Sequence, residues 1–263
     1  MFIYTQLFIY KTVGINLRAT MKTTILSLIF ILGFNLIMSQ TSENYSDRIL
    51  TSTFKLFKSA DLELADHIRP FLKERFKVEL KDTSSFTNPY DSLSKHISIK
   101  QSSDNLLRLY CWNERNNGCR WISTTFAQFR TKSNEIKSIN LEKISADFDE
   151  DLYIKDLQRI EINDQPHYLI IGYGGHCGNH IYQIARVFKI LDNTLVKCNS
   201  IFDNKDEIDI GAGRTGKIEM KYSKETKTLT YNEYEFDQDM GFYIGEKSRI
   251  SWKLTKSGFE KKN

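Results

Sequence analysis

The chain has 263 residues, with 37 Lys and Arg against 33 Asp and Glu, 40% hydrophobic and 13% aromatic residues and 3 prolines. That aromatic content and the scarcity of proline exclude a disordered chain, and the length suffices for one good core. A formal charge of +4 without a clustered basic run excludes a nucleic-acid footprint.

The N-terminus reads as a leader. Lys22 precedes an almost uninterrupted apolar run, Thr23 to Met38, and then Ser39 and Gln40 open a polar region. A cationic start, an apolar stretch and a small residue at −1 (Ser39, with Ile37 at −3) describe a secretory signal peptide. Met21 is then the natural start, and residues 1–20 an over-extended one. The alternative is a membrane anchor, for which the run sits at the short edge of the ~17–25 residues a span needs. No Cys stands at the cleavage point, so a lipid anchor has no support. Removing residues 1–39 takes away Lys11, Arg18 and Lys22 and no acid, which leaves the rest nearly balanced in charge. The expected location is periplasmic or extracellular, with no stable membrane span after cleavage.

Residues 40–81 read as a helical segment. Ile49, Leu50, Phe54 and Phe57 have helical spacing, and Asp61 is a natural N-cap for a second helix. Leu64, Ile68, Phe71, Leu72 and Phe76 mark the apolar face of that helix, and Pro70 predicts a kink or two short helices.

Beyond the turn-rich connector Asp82–Asp91 the period changes to two, and residues 82–263 read as one antiparallel β domain. Strands are expected at His96–Ile99, Leu106–Trp112, Arg120–Arg130 and Ile136–Ile144, then at Tyr153–Ile162, Tyr168–Tyr173 and Ile181–Leu191. Lys217–Tyr222, Leu229–Phe236, Phe242–Ile244 and Arg249–Leu254 follow. The fold class is therefore mainly β with an N-terminal helical segment (α+β). The antiparallel meander is expected to form a sandwich, a barrel or a partial propeller-like domain.

Within this domain the densest stretch is His167–Leu191, two β-branched and aromatic runs joined by Gly174-Gly175-His176-Cys177-Gly178-Asn179-His180. Four cysteines in an exported chain predict up to two disulfides, with three possible pairings. Cys111 with Cys119 across a hairpin is the first expectation and Cys177 with Cys198 the second, with free buried thiols as the alternative.

The run Asn88-Pro89-Tyr90-Asp91-Ser92-Leu93, followed by Leu107-Arg108-Leu109-Tyr110-Cys111-Trp112-Asn113, resembles a family of uncharacterised exported proteins of Bacteroidetes-type bacteria. There a Tyr/Phe-Asp-Ser-Leu motif precedes a strand of the type Phe-Arg-Ile-Tyr-Ser-Trp-Asp, from which Cys111 and Asn113 depart. The resemblance continues through Tyr168–Leu191 to Ser257-Gly258-Phe259-Glu260 and covers most of residues 80–260. It implies secretion and a mostly β fold, and brings no activity or catalytic residue.

Candidate chemistry is sparse. His176, Cys177 and His180, with His167 as a fourth ligand, have the donor types for Zn²⁺ or Cu²⁺. A glycine-rich surface loop is the competing reading, and otherwise no cofactor is expected. Gly211-Ala212-Gly213-Arg214-Thr215-Gly216 matches G-x-G-x-x-G, yet no βαβ unit surrounds it, so a dinucleotide site is rejected. Asp147, Asp149, Glu150 and Asp151, and then Asp203, Asp206, Glu207 and Asp209, read as solvated acidic loops that depart from the EF-hand pattern. No G-x-S-x-G elbow occurs. Trp112, Trp121, Trp252, Tyr231, Tyr234 and Phe236 have the chemistry of a sugar or peptide groove, although aromatics at alternate strand positions are first of all core. The expected function is a non-catalytic binding or accessory β module for a protein or carbohydrate ligand. The alternative is a secreted hydrolase with a metal- or carboxylate-based site near the 172–180 loop.

Overall fold

A computed structural model describes residues 45–115, 121–141, 152–177 and 180–262. The predicted leader, Cys119 and the acidic run 147–151 lie outside them. The chain divides into a short unit ending at Ser46, described only at residues 45–46, and a larger unit, Asp47–Asn263. The larger unit is mostly β, as expected.

Helix α1 runs to residue 59 and α2 spans Leu62–Lys81. Asp61 caps α2, its side chain accepting the Leu64 N–H at 2.8 Å. Pro70 does not divide the helix, which continues through it as one element. The buried face is also rotated from the predicted one: Ala65, Leu72, Phe76 and Leu80 are buried, while Phe71 is 77% exposed. At 100° per residue, Leu64 and Phe71 fall about a quarter turn or more from the Leu72–Phe76 line, too far to join its face.

Among the described residues thirteen strands form three antiparallel sheets, none closed into a barrel. The first holds β1 (Ser98–Gln101), β2 (Leu107–Asn113), β3 (Ser123–Arg130) and β4 (Ile136–Asn140) in that order. The second holds β5 (Tyr153–Ile162), β6 (Gln165–His176), β7 (His180–Leu191) and β8 (Thr194–Lys197), with β9 (Glu207–Gly213) also paired to β7. The third holds β10 (Lys221–Ser223), β11 (Thr228–Asp237), β12 (Phe242–Leu254) and β13 (Phe259–Lys261). Strands β8, β9 and β13 have no counterpart in the sequence reading. Glu207 and Asp209 accordingly belong to a strand and not to an acidic loop.

Three cores stack these layers. Phe54, Phe57, Leu72 and Phe76 of the helices meet Tyr110, Trp112 and Phe126 of the first sheet. Its other face, Leu107, Leu109, Ala127 and Phe129, packs on Ile154, Tyr168, Ile170, Ile184 and Phe188 of the second. The far face of the second sheet, with Leu169, Ile171, Ala185 and Val187, packs on Leu229, Tyr231, Ile250 and Trp252 of the third. The order is thus helices, sheet, sheet, sheet. Covering both faces explains why β2 and β3 are buried at nearly every position and show no alternation.

Buried polar groups fix the layers. Arg108 donates to the carbonyls of Phe86 and Asn88 at 3.0 and 2.6 Å, and its guanidinium lies over the rings of Tyr90 and Tyr110. Asp47 accepts the N–H groups of Ser92 and Leu93 at 3.0 and 2.8 Å, tying α1 to the short turn Leu93–Lys95. No helix among the described residues is long and apolar enough to cross a membrane.

Candidate functional site

The hairpin of β6 and β7 is the stretch the sequence singled out, and its strands run further than predicted. Gly174 and Gly175 are strand residues paired with Tyr182 and Ile181, so the strand continues to His176. The reason lies in the packing: Trp121 rests on Gly175, its backbone N–H donating to the Gly175 carbonyl at 3.0 Å. A Cβ at Gly175 would stand 3.0 Å from the indole ring. That is tighter than most real Cβ contacts, so a side chain there would push the indole off its seat by a few tenths of an ångström.

Two cross-strand pairs meet where the first and second sheets separate. Asn113 faces Ser123 at the end of β2–β3, and Tyr153 faces Tyr173 at the end of β5–β6. With Trp121 they line an open cleft of about 430 Å³. The Tyr153 and Tyr173 rings lie 5.4 Å apart, and Trp121 stands edge-on to Tyr173 at 6.3 Å. Burial, and then the nearby Cys111, push both phenols above the ordinary tyrosine range, so they remain hydrogen-bond donors at neutral pH. Ser123 Oγ is buried without a partner among the described residues. The cleft thus combines aromatic faces with unused polar capacity.

The other aromatics divide as their burial dictates. Trp112, Trp252 and Tyr231 are core residues, at 2%, 3% and 3% exposure, whereas Trp121 is 37% exposed. Phe236 is exposed on the β11–β12 hairpin, away from these cores. Its ring and that of Tyr243 stand edge-on to His180, at 6.2 and 5.4 Å. Gly211 leaves room for the Tyr243 hydroxyl, since a Cβ there would overlap it. The first glycine of G-x-G-x-x-G therefore serves aromatic packing at the end of a strand, and no helix follows it.

The predicted metal ligands are only partly brought together. His176 and His180 are register partners across the hairpin. His167 lies at the opposite end of β6, about 30 Å away at ~3.3 Å per residue, and cannot join them. Among the described residues no group of three or more His, Cys, Asp or Glu side chains is placed to hold a metal ion.

Both predicted disulfide pairings fail. Cys111 and Cys198 are buried, and neither is in a disulfide. Cys111 belongs to the core between the first two sheets, where its sulfur accepts the Ile154 N–H at 3.3 Å. Cys198 belongs to the next core, and burial pushes its thiol up to about 11. Cys177 is disulfide-bonded, which removes its thiolate from any metal site.

Compared with family models, curated proteins and solved structures, the chain matches none.

The sequence reading named Trp121 among groove candidates but missed Asn113, Ser123, Tyr153 and Tyr173. They are 10 to 60 residues apart in sequence, roughly, and only the face-to-face packing of two sheets unites them. A tryptophan just after a turn, followed by strand residues, was the one available signal.

Proposed function

We propose that the protein is an exported, non-catalytic binding module whose ligand is a carbohydrate. The observation that carries this reading is the gathering of Trp121, Tyr153 and Tyr173 around one open cleft beside Asn113 and a Ser123 hydroxyl that has no partner among the described residues. Sugar rings present apolar C–H faces that stack on aromatic side chains, while their hydroxyls need donors and acceptors at the edges. The cleft offers both. Export, to the periplasm or beyond the cell, is supported by the charged start at Lys22, the apolar run to Met38, and the resemblance to exported proteins of Bacteroidetes-type bacteria.

Affinity electrophoresis in native gels containing soluble polysaccharides tests the reading. The protein is expected to be retarded by at least one of them. Trp121→Ala is expected to bind at least about fivefold more weakly, since truncating a central aromatic anchor commonly costs more than ~1 kcal/mol. Retardation that survives Trp121→Ala, or none with any polysaccharide, overturns it.

A further inference from the structure

A second cavity, of about 620 Å³, opens at the opposite end of the second sheet, on the order of 20 Å from the aromatic cleft along β6. Its charge is one-sided. Arg130, Lys132, Lys189 and Lys197 line it, and no carboxylate does. Lys197 is already neutralised by Glu207 at 2.8 Å. Arg130, Lys132 and Lys189 make no ion pair among the described residues; Arg130 instead donates to Asn134 and lies over Phe86. Like charges gathered in a cleft with low-dielectric walls concentrate their field on whatever enters.

Part of the wall is apolar. Ile162, Ile190, Leu191 and Ile201 line the cavity, and Leu191 remains 43% exposed. His167, 8% exposed, sets one more polar point in it, with Nδ1 donating to the Gln165 carbonyl at 3.0 Å. That bond fixes the tautomer of a neutral ring and leaves Nε2 as an acceptor. Burial, with Lys189 beside it, holds His167 below the ordinary histidine range. The cavity therefore presents ammonium and guanidinium donors, the His167 acceptor, neutral amide and hydroxyl groups and an aliphatic patch, within the ~300–1,000 Å³ of typical ligand sites.

We propose that this cavity binds a small organic anion, an acid group on an aliphatic body, with Lys132 and Lys189 holding the acid and Ile190 and Leu191 the chain. The site is separate from the aromatic cleft and does not depend on its ligand. Calorimetric titration of the full chain with decanoate, and with decanol as the uncharged control, tests it. Decanoate is expected to bind saturably at one site, and decanol at least tenfold more weakly. The double variant Lys132→Gln/Lys189→Gln replaces surface-reaching side chains and keeps the fold, as circular dichroism would verify. It is expected to lose at least tenfold in decanoate affinity with decanol unchanged. Equal binding of both probes, no saturable heat, or an unaltered decanoate affinity in the double variant overturns the proposal.

Discussion

Replacing Phe76 by alanine is expected to lower the unfolding free energy by about 3–5 kcal/mol, the range for truncating a fully buried phenylalanine. Phe76 is the hub of the core between the helices and the first sheet. Its ring contacts Phe54 at 6.2 Å, Tyr110 at 5.3 Å, Trp112 at 5.1 Å and Phe126 at 5.7 Å. These partners come from α1, β2 and β3, which cannot all close on the space left behind. The Phe54 and Tyr110 contacts are edge-to-face, an arrangement that adds about 0.5–1.5 kcal/mol beyond burial. Phe71→Ala on the same helix is the control. That ring is 77% exposed, and its loss is expected to stay within about 0.5 kcal/mol. Urea unfolding of the three proteins, compared at constant m-value, separates them.

Removing Glu207 is the second large effect. Arg186, at the middle of β7, has a side chain only 3% exposed, and Glu207 answers it from β9 with Nε–Oε2 at 2.6 Å. Lys197 adds a second ion pair to the same oxygen at 2.8 Å. Glu207→Ala leaves the Arg186 charge buried without its acid, which is expected to cost about 3 kcal/mol, the low end for breaking a buried pair because Glu207 is itself a quarter exposed. The pairing also fixes the pH response. Burial alone would raise the carboxyl, but the hydrogen bonds from Arg186 and Lys197 outweigh it and hold Glu207 below the ordinary glutamate range. Its contribution is therefore fully present above the unfolded value of about 4.3 and is lost as the pH falls through the lower folded value. Thermal unfolding between about pH 6 and 3 is expected to fall less steeply in Glu207→Gln than in the unaltered protein. Parallel curves would show that other carboxylates govern the acid limb.

These effects explain which parts of the fold were legible in the sequence. Single-period signals were: the Asp61 cap, the 3.6-residue spacing of α1 and most strands announced themselves. Elements buried on both faces were legible as strands, as at Leu106–Trp112, but which core each of their side chains enters was not. Leu107 to Trp112 carries no alternation, because helices cover Tyr110 and Trp112 while the second sheet covers Leu109 and Cys111. The β9 strand was hidden for a different reason, since Glu207 and Asp209 read as solvated acids until Arg186 supplies the partner. Glycine misled in the same way. Gly174 and Gly175 look like a loop, yet they extend β6 to give Trp121 its seat. The cleft itself is a product of layering, and no local pattern encodes the meeting of Asn113–Ser123 with Tyr153–Tyr173.

That cleft is the centre of the functional account, and Trp121 reports on it directly. Of the three tryptophans, Trp112 and Trp252 are buried and Trp121 is 37% exposed. Acrylamide quenching of the intrinsic emission should therefore address Trp121 almost alone, and Trp121→Phe should remove the quenchable fraction. The decisive measurement is this quenching in the presence of a saturating oligosaccharide cut from whichever polysaccharide retards the protein. Loss of the accessible fraction on saturation is the predicted result; quenching unchanged at saturation would contradict the assignment of the cleft as the binding site.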